Sequence, residues 1–184
     1  HPTLRRQRQM CIRDRSEEAN TEYLGQNEPT YWSALKERFD LPDSVEHYIA
    51  VRHELVKDLL AERLPVAPGV VEFTQALKNL GFPLAVASSS ERALIDQVMR
   101  GSGLGEHVSA IASGDEVKRT KPDPEIFLLA AERLGVNPTE CLVFEDAPHG
   151  ARGAKAAGMR CVRVVTETTR RLAAFPEVDA TIDT

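Results

Sequence analysis

Cys141-Leu-Val-Phe-Glu-Asp-Ala-Pro-His-Gly150 is an apolar run that ends in two adjacent carboxylates and passes into a helix start. In an open parallel sheet, ligands bind in the crevice outside the carboxyl ends of the strands. A strand that stops at Glu145-Asp146 therefore sets two hard oxygen donors on that edge. Such donors suit Mg²⁺, which takes one or two carboxylates and fills its shell with phosphate oxygens and water. Taken alone, the same residues read equally well as an acidic strand end followed by a helix cap. The residues upstream decide between these readings.

Two earlier strand ends also carry polar chemistry. Leu84-Ala-Val-Ala87 runs into Ser88-Ser89-Ser90 and Glu91, ahead of a helical pattern at Leu94, Ile95, Val98 and Met99. Hydroxyls and backbone N–H groups at a strand-to-helix turn make a phosphate cradle. One of these serines is also expected to cap the helix, with Glu91 in its first turn. Lys118-Arg-Thr-Lys121-Pro-Asp-Pro-Glu125 follows an expected strand over 109–113. Pro122 favours an extended Lys121, while Pro124, Asp123 and Glu125 mark a helix start. A lysine on this turn is either an ordinary surface residue or a positive charge held beside a phosphate.

The order Ser88, Lys121, then Glu145-Asp146 on successive strand–helix units resembles the haloacid dehalogenase-like hydrolase superfamily. The resemblance is strongest to its phosphatase and β-phosphoglucomutase-like branch. Val86-Ala-Ser-Ser-Ser90 is similar to the second motif, which implies that Ser88 binds the transferring phosphoryl group. Thr120-Lys-Pro-Asp-Pro-Glu-Ile-Phe127 matches the third, implying that Lys121 steadies phosphoryl and nucleophile charge. Phe144-Glu-Asp-Ala-Pro-His-Gly150 matches the fourth, whose acidic pair, here Glu145 and Asp146, helps to hold Mg²⁺. Ser89, Ser90 and His149 are expected at the rim. The resemblance implies a Mg²⁺-dependent phosphatase of small phosphorylated metabolites, such as sugar phosphates or nucleoside monophosphates. A phosphomutase and a non-catalytic phosphate-binding relative stand as alternatives.

The superfamily's first motif is an apolar strand ending in Asp-x-Asp, whose first carboxylate attacks phosphorus and whose second acts as acid and base. No Asp-x-Asp occurs in this sequence. Covalent phosphoryl transfer needs the attacking carboxylate as well as the cradle, so the chain as given is expected to be inactive. The resemblance places that first strand centrally, between the strands ending at Ser88 and Asp146. Its absence or replacement would leave unpaired inner edges. The chain instead opens with a basic stretch. Five arginines against Asp14 give residues 1–15 a charge of +4, so the remaining 169 residues carry −9 where the whole chain carries −5. This shift leads us to expect an atypical, non-native leader over residues 1–19, with a nucleic-acid arm or a transit peptide as the alternatives. Met10-Cys-Ile12 with Asp14 is the one stretch there that could imitate the missing strand.

Residues 20–64 read as a small all-α cap. Tyr31, Trp32, Leu35 and Phe39 fall at helical spacing. After a break at Asp40–Ser44, capped by Asp43 or Ser44, a second helix carries Val45, Tyr48, Ile49, Arg52, Leu55, Val56, Leu59 and Leu60. Arg52 is assigned to substrate or phosphate binding; it and His53 face either the cleft or solvent. Residues 65–184 form the expected α/β core, a doubly wound parallel sheet with strands at 84–88, 109–113, 141–144, 160–165 and 180–183. Ala151, Ala154, Ala156 and Ala157 are expected to let the helix over 148–157 lie close to that sheet.

With 42% hydrophobic residues, a single core plus a small appended domain is expected, and the net charge of −5 gives no reason to expect nucleic-acid binding by the main body; a monomer is expected. Cys11, Cys141 and Cys161 lack metal or disulfide spacing, which fits a reducing cytoplasm. No apolar run is long enough to span a membrane.

Overall fold

The computed structural model describes residues 28–62, 64, 66–166, 169–170, 172, 175 and 178–183. The leader, Cys11 and the stretch Met10–Asp14 lie outside the described residues. Helices α1 (Glu28–Phe39) and α2 (Val45–Glu62) pack on each other. Trp32 of α1 stacks on Tyr48 of α2 with ring centroids 5.4 Å apart, and Tyr31 meets Trp32 edge-on. The aromatic stripe thus joins the two helices. Ser44 caps α2, its Oγ accepting the His47 N–H at 3.1 Å, while Asp43 accepts from the Tyr48 hydroxyl.

The expected packed face of α2 needs correction. Leu55 and Leu59 are 44% and 63% exposed. On a 3.6-residue helix Leu55 and Leu59 sit at the edge of the stripe whose members Ile49, Val56 and Leu60 are half-buried. Arg52 is half-buried, as are Val56 and Leu60.

The remaining elements alternate: α3 (Val70–Asn79), β1 (Ala85–Ser88), α4 (Arg92–Ser102), β2 (Ala110–Ser113), α5 (Glu125–Leu134), β3 (Leu142–Glu145), α6 (Pro148–Ala156), β4 (Arg160–Val165) and β5 (Ala180–Asp183). Each strand pairing is parallel, β1 with β2 in one sheet and β3–β4–β5 in another. Neighbouring parallel strands need long crossovers, and the intervening helices supply them. Helices cover both faces. Successive residues of a strand point oppositely; Phe144 meets Phe73 of α3, whereas the adjacent Glu145 lies against Gly150 of α6. This is the expected α/β architecture. Among the described residues, β1 and β3 each pair on one side only. The interruption falls where the resemblance places a first strand.

Small side chains bring helices and sheets together. Ala112, Ala130, Ala131, Ala151 and Ala154 are buried with Ile126, Phe127, Met159 and Cys161. Ala156, expected with this group, is exposed. It sits two residues after Ala154, about 200° around a 3.6-residue helix, on the solvent side. The serine cap expected for α4 is also absent. Its cap position is Glu91, without a side-chain bond, and the Arg92 N–H goes to Asp115 Oδ1 at 3.2 Å. The serines lie earlier, in the turn leaving β1, where Ser88 Oγ accepts the Ser90 N–H at 3.2 Å. Cys161 is buried and its thiol is pushed up to about 11, chiefly by that burial. No helix among the described residues is long and apolar enough to cross a membrane.

Candidate active site

Parallel strands deliver their carboxyl ends to one side of a fold, and that side carries a cleft of about 530 Å³. Ser88, Ser89 and Ser90 after β1, Lys121 before α5, and Glu145 and Asp146 at the end of β3 all line it. Arg52 reaches in from α2 with Glu28 of α1. Five separated segments thus converge on one space.

Lys121 is buried, and its Nζ donates to the Ala87 carbonyl at 3.1 Å and to Glu145 Oε1. The ammonium also lies 4.8 Å from the Phe127 ring centroid. The Lys121–Pro122 peptide is cis. Three segments therefore fix the position of this charge. The other oxygen of Glu145 turns back on its own chain and accepts the N–H groups of Asp146 and Ala147 at 3.1 and 3.2 Å. That carboxylate needs Gly150. A Cβ built there would overlap Glu145, so only glycine leaves the space.

Asp146 faces the cleft under different conditions. Burial raises its carboxyl pKa, the neighbouring Glu145 charge adds to this, and Lys121 offsets part of it. A desolvated carboxylate beside a second one is an environment short of positive charge. That donor chemistry fits a hard divalent cation completed by phosphate oxygens and water. No group of three or more His, Cys, Asp or Glu gathers for a metal among the described residues. Glu145 is oriented by Lys121, which leaves Asp146 as the more available oxygen donor.

The serine turn is held from β2. Gly114 donates its N–H to the Ser90 carbonyl at 2.8 Å, and a Cβ on Gly114 would overlap the Ser89 backbone. Arg52 pairs with Glu28, and burial lowers the guanidinium pKa. His53 Nε2 contacts the second Glu28 oxygen at 2.7 Å, with Nδ1 3.6 Å from Glu91. Of the sequence candidates, His149 is not among the cleft-lining residues. It lies on the first turn of α6, 3.4 Å from Arg152, and its pKa is lowered by burial and then by that charge. Sequence reasoning missed Glu28 and Thr166 at the cleft. It also missed the space-making roles of Gly114 and Gly150, for which a glycine next to each motif was the available signal.

The model of the haloacid dehalogenase-like hydrolase family matches residues 3–158. The chain is 35% identical to the phosphorylated carbohydrates phosphatase of Thermotoga maritima, over 78% of this chain and 67% of that protein. It is 46% identical to the fructose-1-phosphate phosphatase YqaB of Escherichia coli over a shorter stretch, 45% of this chain and 44% of that one. The crystal structure of CbbY from Rhodobacter sphaeroides in complex with phosphate superposes with a TM-score of 0.80 at 28% identity, covering 92% of this chain and 77% of CbbY. The chain spans between 10% and 67% of the length of the curated relatives it matches.

Proposed function

The chain belongs to the haloacid dehalogenase-like hydrolases, and on that footing we propose that its intact gene product is a Mg²⁺-dependent phosphatase of small phosphorylated metabolites. The observation that carries this reading is the convergence of Ser88, Lys121 and Asp146 on one cleft. Ser88 binds the phosphoryl oxygens, with Ser89 and Ser90 beside it. Lys121, held by Ala87 and Glu145, places a fixed positive charge where negative charge develops in the transition state. Asp146, with Glu145 at its side, would hold the cation. A bound Mg²⁺ supplies further neutralisation of the phosphoryl oxygens. The α1–α2 pair closes the far side through Arg52. The Thermotoga phosphorylated carbohydrates phosphatase and the Escherichia fructose-1-phosphate phosphatase support a phosphorylated carbohydrate as the substrate class. The protein works as a cytoplasmic monomer.

The chain as given binds phosphate without turning it over, because its sequence offers no Asp-x-Asp carboxylate as nucleophile. The test is p-nitrophenyl phosphate hydrolysis with and without Mg²⁺. No release above background is expected. Mg²⁺-dependent release that disappears in Asp146→Ala would overturn the assignment of this chain as inactive.

A further inference from the structure

Among the described residues, both cations that line the cleft are paired with a carboxylate. Lys121 is held by Glu145, and Arg52 by Glu28. With Asp146, the described lining residues comprise two cations and three carboxylates, a formal charge of −1. One phosphoryl group accompanied by a divalent cation is tolerable there. A second would add about two negative charges to a wall whose guanidinium is already neutralised.

The Glu28–Arg52 pair nonetheless has hydrogen-bonding capacity. A guanidinium offers five N–H donors and a carboxylate about four acceptor positions, and one shared contact leaves most of both unused. Donors and acceptors side by side match hydroxyl groups, each of which both donates and accepts. His53 restrains Glu28 through its second oxygen, 2.7 Å away, and joins it toward Glu91 at the start of α4. The pair is therefore held between the helical pair and the core, rather than lying on a loose surface. Thr166 adds a hydroxyl on the same cleft.

We propose that Glu28 and Arg52 form a charge-neutral specificity wall that reads the hydroxyl-rich, uncharged body of a monophosphorylated substrate and rejects a second phosphoryl group. This inference rests on the phosphate-site reading above. Glu28 is the determinant: it cancels the charge that would otherwise attract another anion.

Isothermal titration of the full 184-residue chain in Mg²⁺ buffer tests it with inorganic phosphate, fructose 1-phosphate and fructose 1,6-bisphosphate, a pair differing by one phosphoryl group. The wild type binds fructose 1-phosphate more tightly than inorganic phosphate, and about tenfold more tightly than the bisphosphate. Glu28→Gln keeps the shape, frees the Arg52 charge and closes most of that gap. Arg52→Ala brings fructose 1-phosphate down toward the affinity of inorganic phosphate. A wild type that binds inorganic phosphate but prefers the bisphosphate, with Glu28→Gln unchanged, overturns this inference alone. A wild type that fails to bind inorganic phosphate overturns the phosphate-site reading, and this inference with it.

Discussion

Lys121 and Glu145 form a buried ion pair, their side chains only 7% and 10% exposed, that ties the turn before α5 to the end of β3. Removing one member of such a pair leaves the other charge desolvated, whereas replacing both by neutral groups of similar shape costs far less. Lys121→Met is therefore expected to lower unfolding free energy by about 3 kcal/mol. Lys121→Met with Glu145→Gln should recover most of that loss. Urea midpoints of the two single variants and the double variant check this; additive losses would show that the pair is not coupled.

Two glycines act through atoms they lack. A Cβ at Gly150 overlaps the Glu145 carboxylate, and one at Gly114 overlaps the Ser89 backbone. Each Ala substitution forces a shift in a packed region, at a cost of about 1–3 kcal/mol. Gly150→Ala displaces Glu145 and loosens Lys121; Gly114→Ala moves the serine turn. Both should weaken inorganic phosphate binding as well as stability. Unchanged affinity in both variants would remove their positioning role.

The pH dependence of stability has an identifiable acid limb. Glu116 accepts from Arg133 at 2.7 and 3.0 Å and from Ser113 Oγ at 2.6 Å, tying α5 to the end of β2. The Arg133 bonds, and then the Ser113 bond, hold the Glu116 carboxyl down at about 2 from an ordinary 4.5. A carboxyl lowered by folding binds its proton more readily in the unfolded chain. Its contribution is therefore complete above about pH 4.5 and is lost as pH falls through about 2. Glu116→Gln should flatten this limb in denaturation series across that window. An identical acid limb in the variant would assign it to other groups.

The strand–helix alternation was legible because apolar runs and their breaks mark each unit, and parallel topology then brings the tips together. That is why Ser88, Lys121, Glu145 and Asp146 meet although they are far apart in sequence. Pairings across the chain were less accessible. Periodicity places Arg52 on a face of α2, but nothing in it identifies Glu28, 24 residues away, as partner. Leu59 and Leu60 are alike in the sequence pattern, yet Leu59 is exposed and Leu60 half-buried, a difference set by what packs on α2 rather than by local periodicity. The serine cap failed for a related reason: the three serines are used in the turn before α4 begins, and the N–H at its start is satisfied from Asp115, 23 residues on.

Phosphorus NMR titration of inorganic phosphate into the wild-type chain, Ser88→Ala and Asp146→Ala, with and without Mg²⁺, tests the meeting of phosphate and cation at the strand tips most directly. Wild type should bind phosphate and tighten by about tenfold when Mg²⁺ is added. Ser88→Ala should lose most phosphate binding, and Asp146→Ala should lose the Mg²⁺ enhancement while retaining the weaker cation-free binding. Phosphate binding that ignores Mg²⁺ and both substitutions would contradict the account.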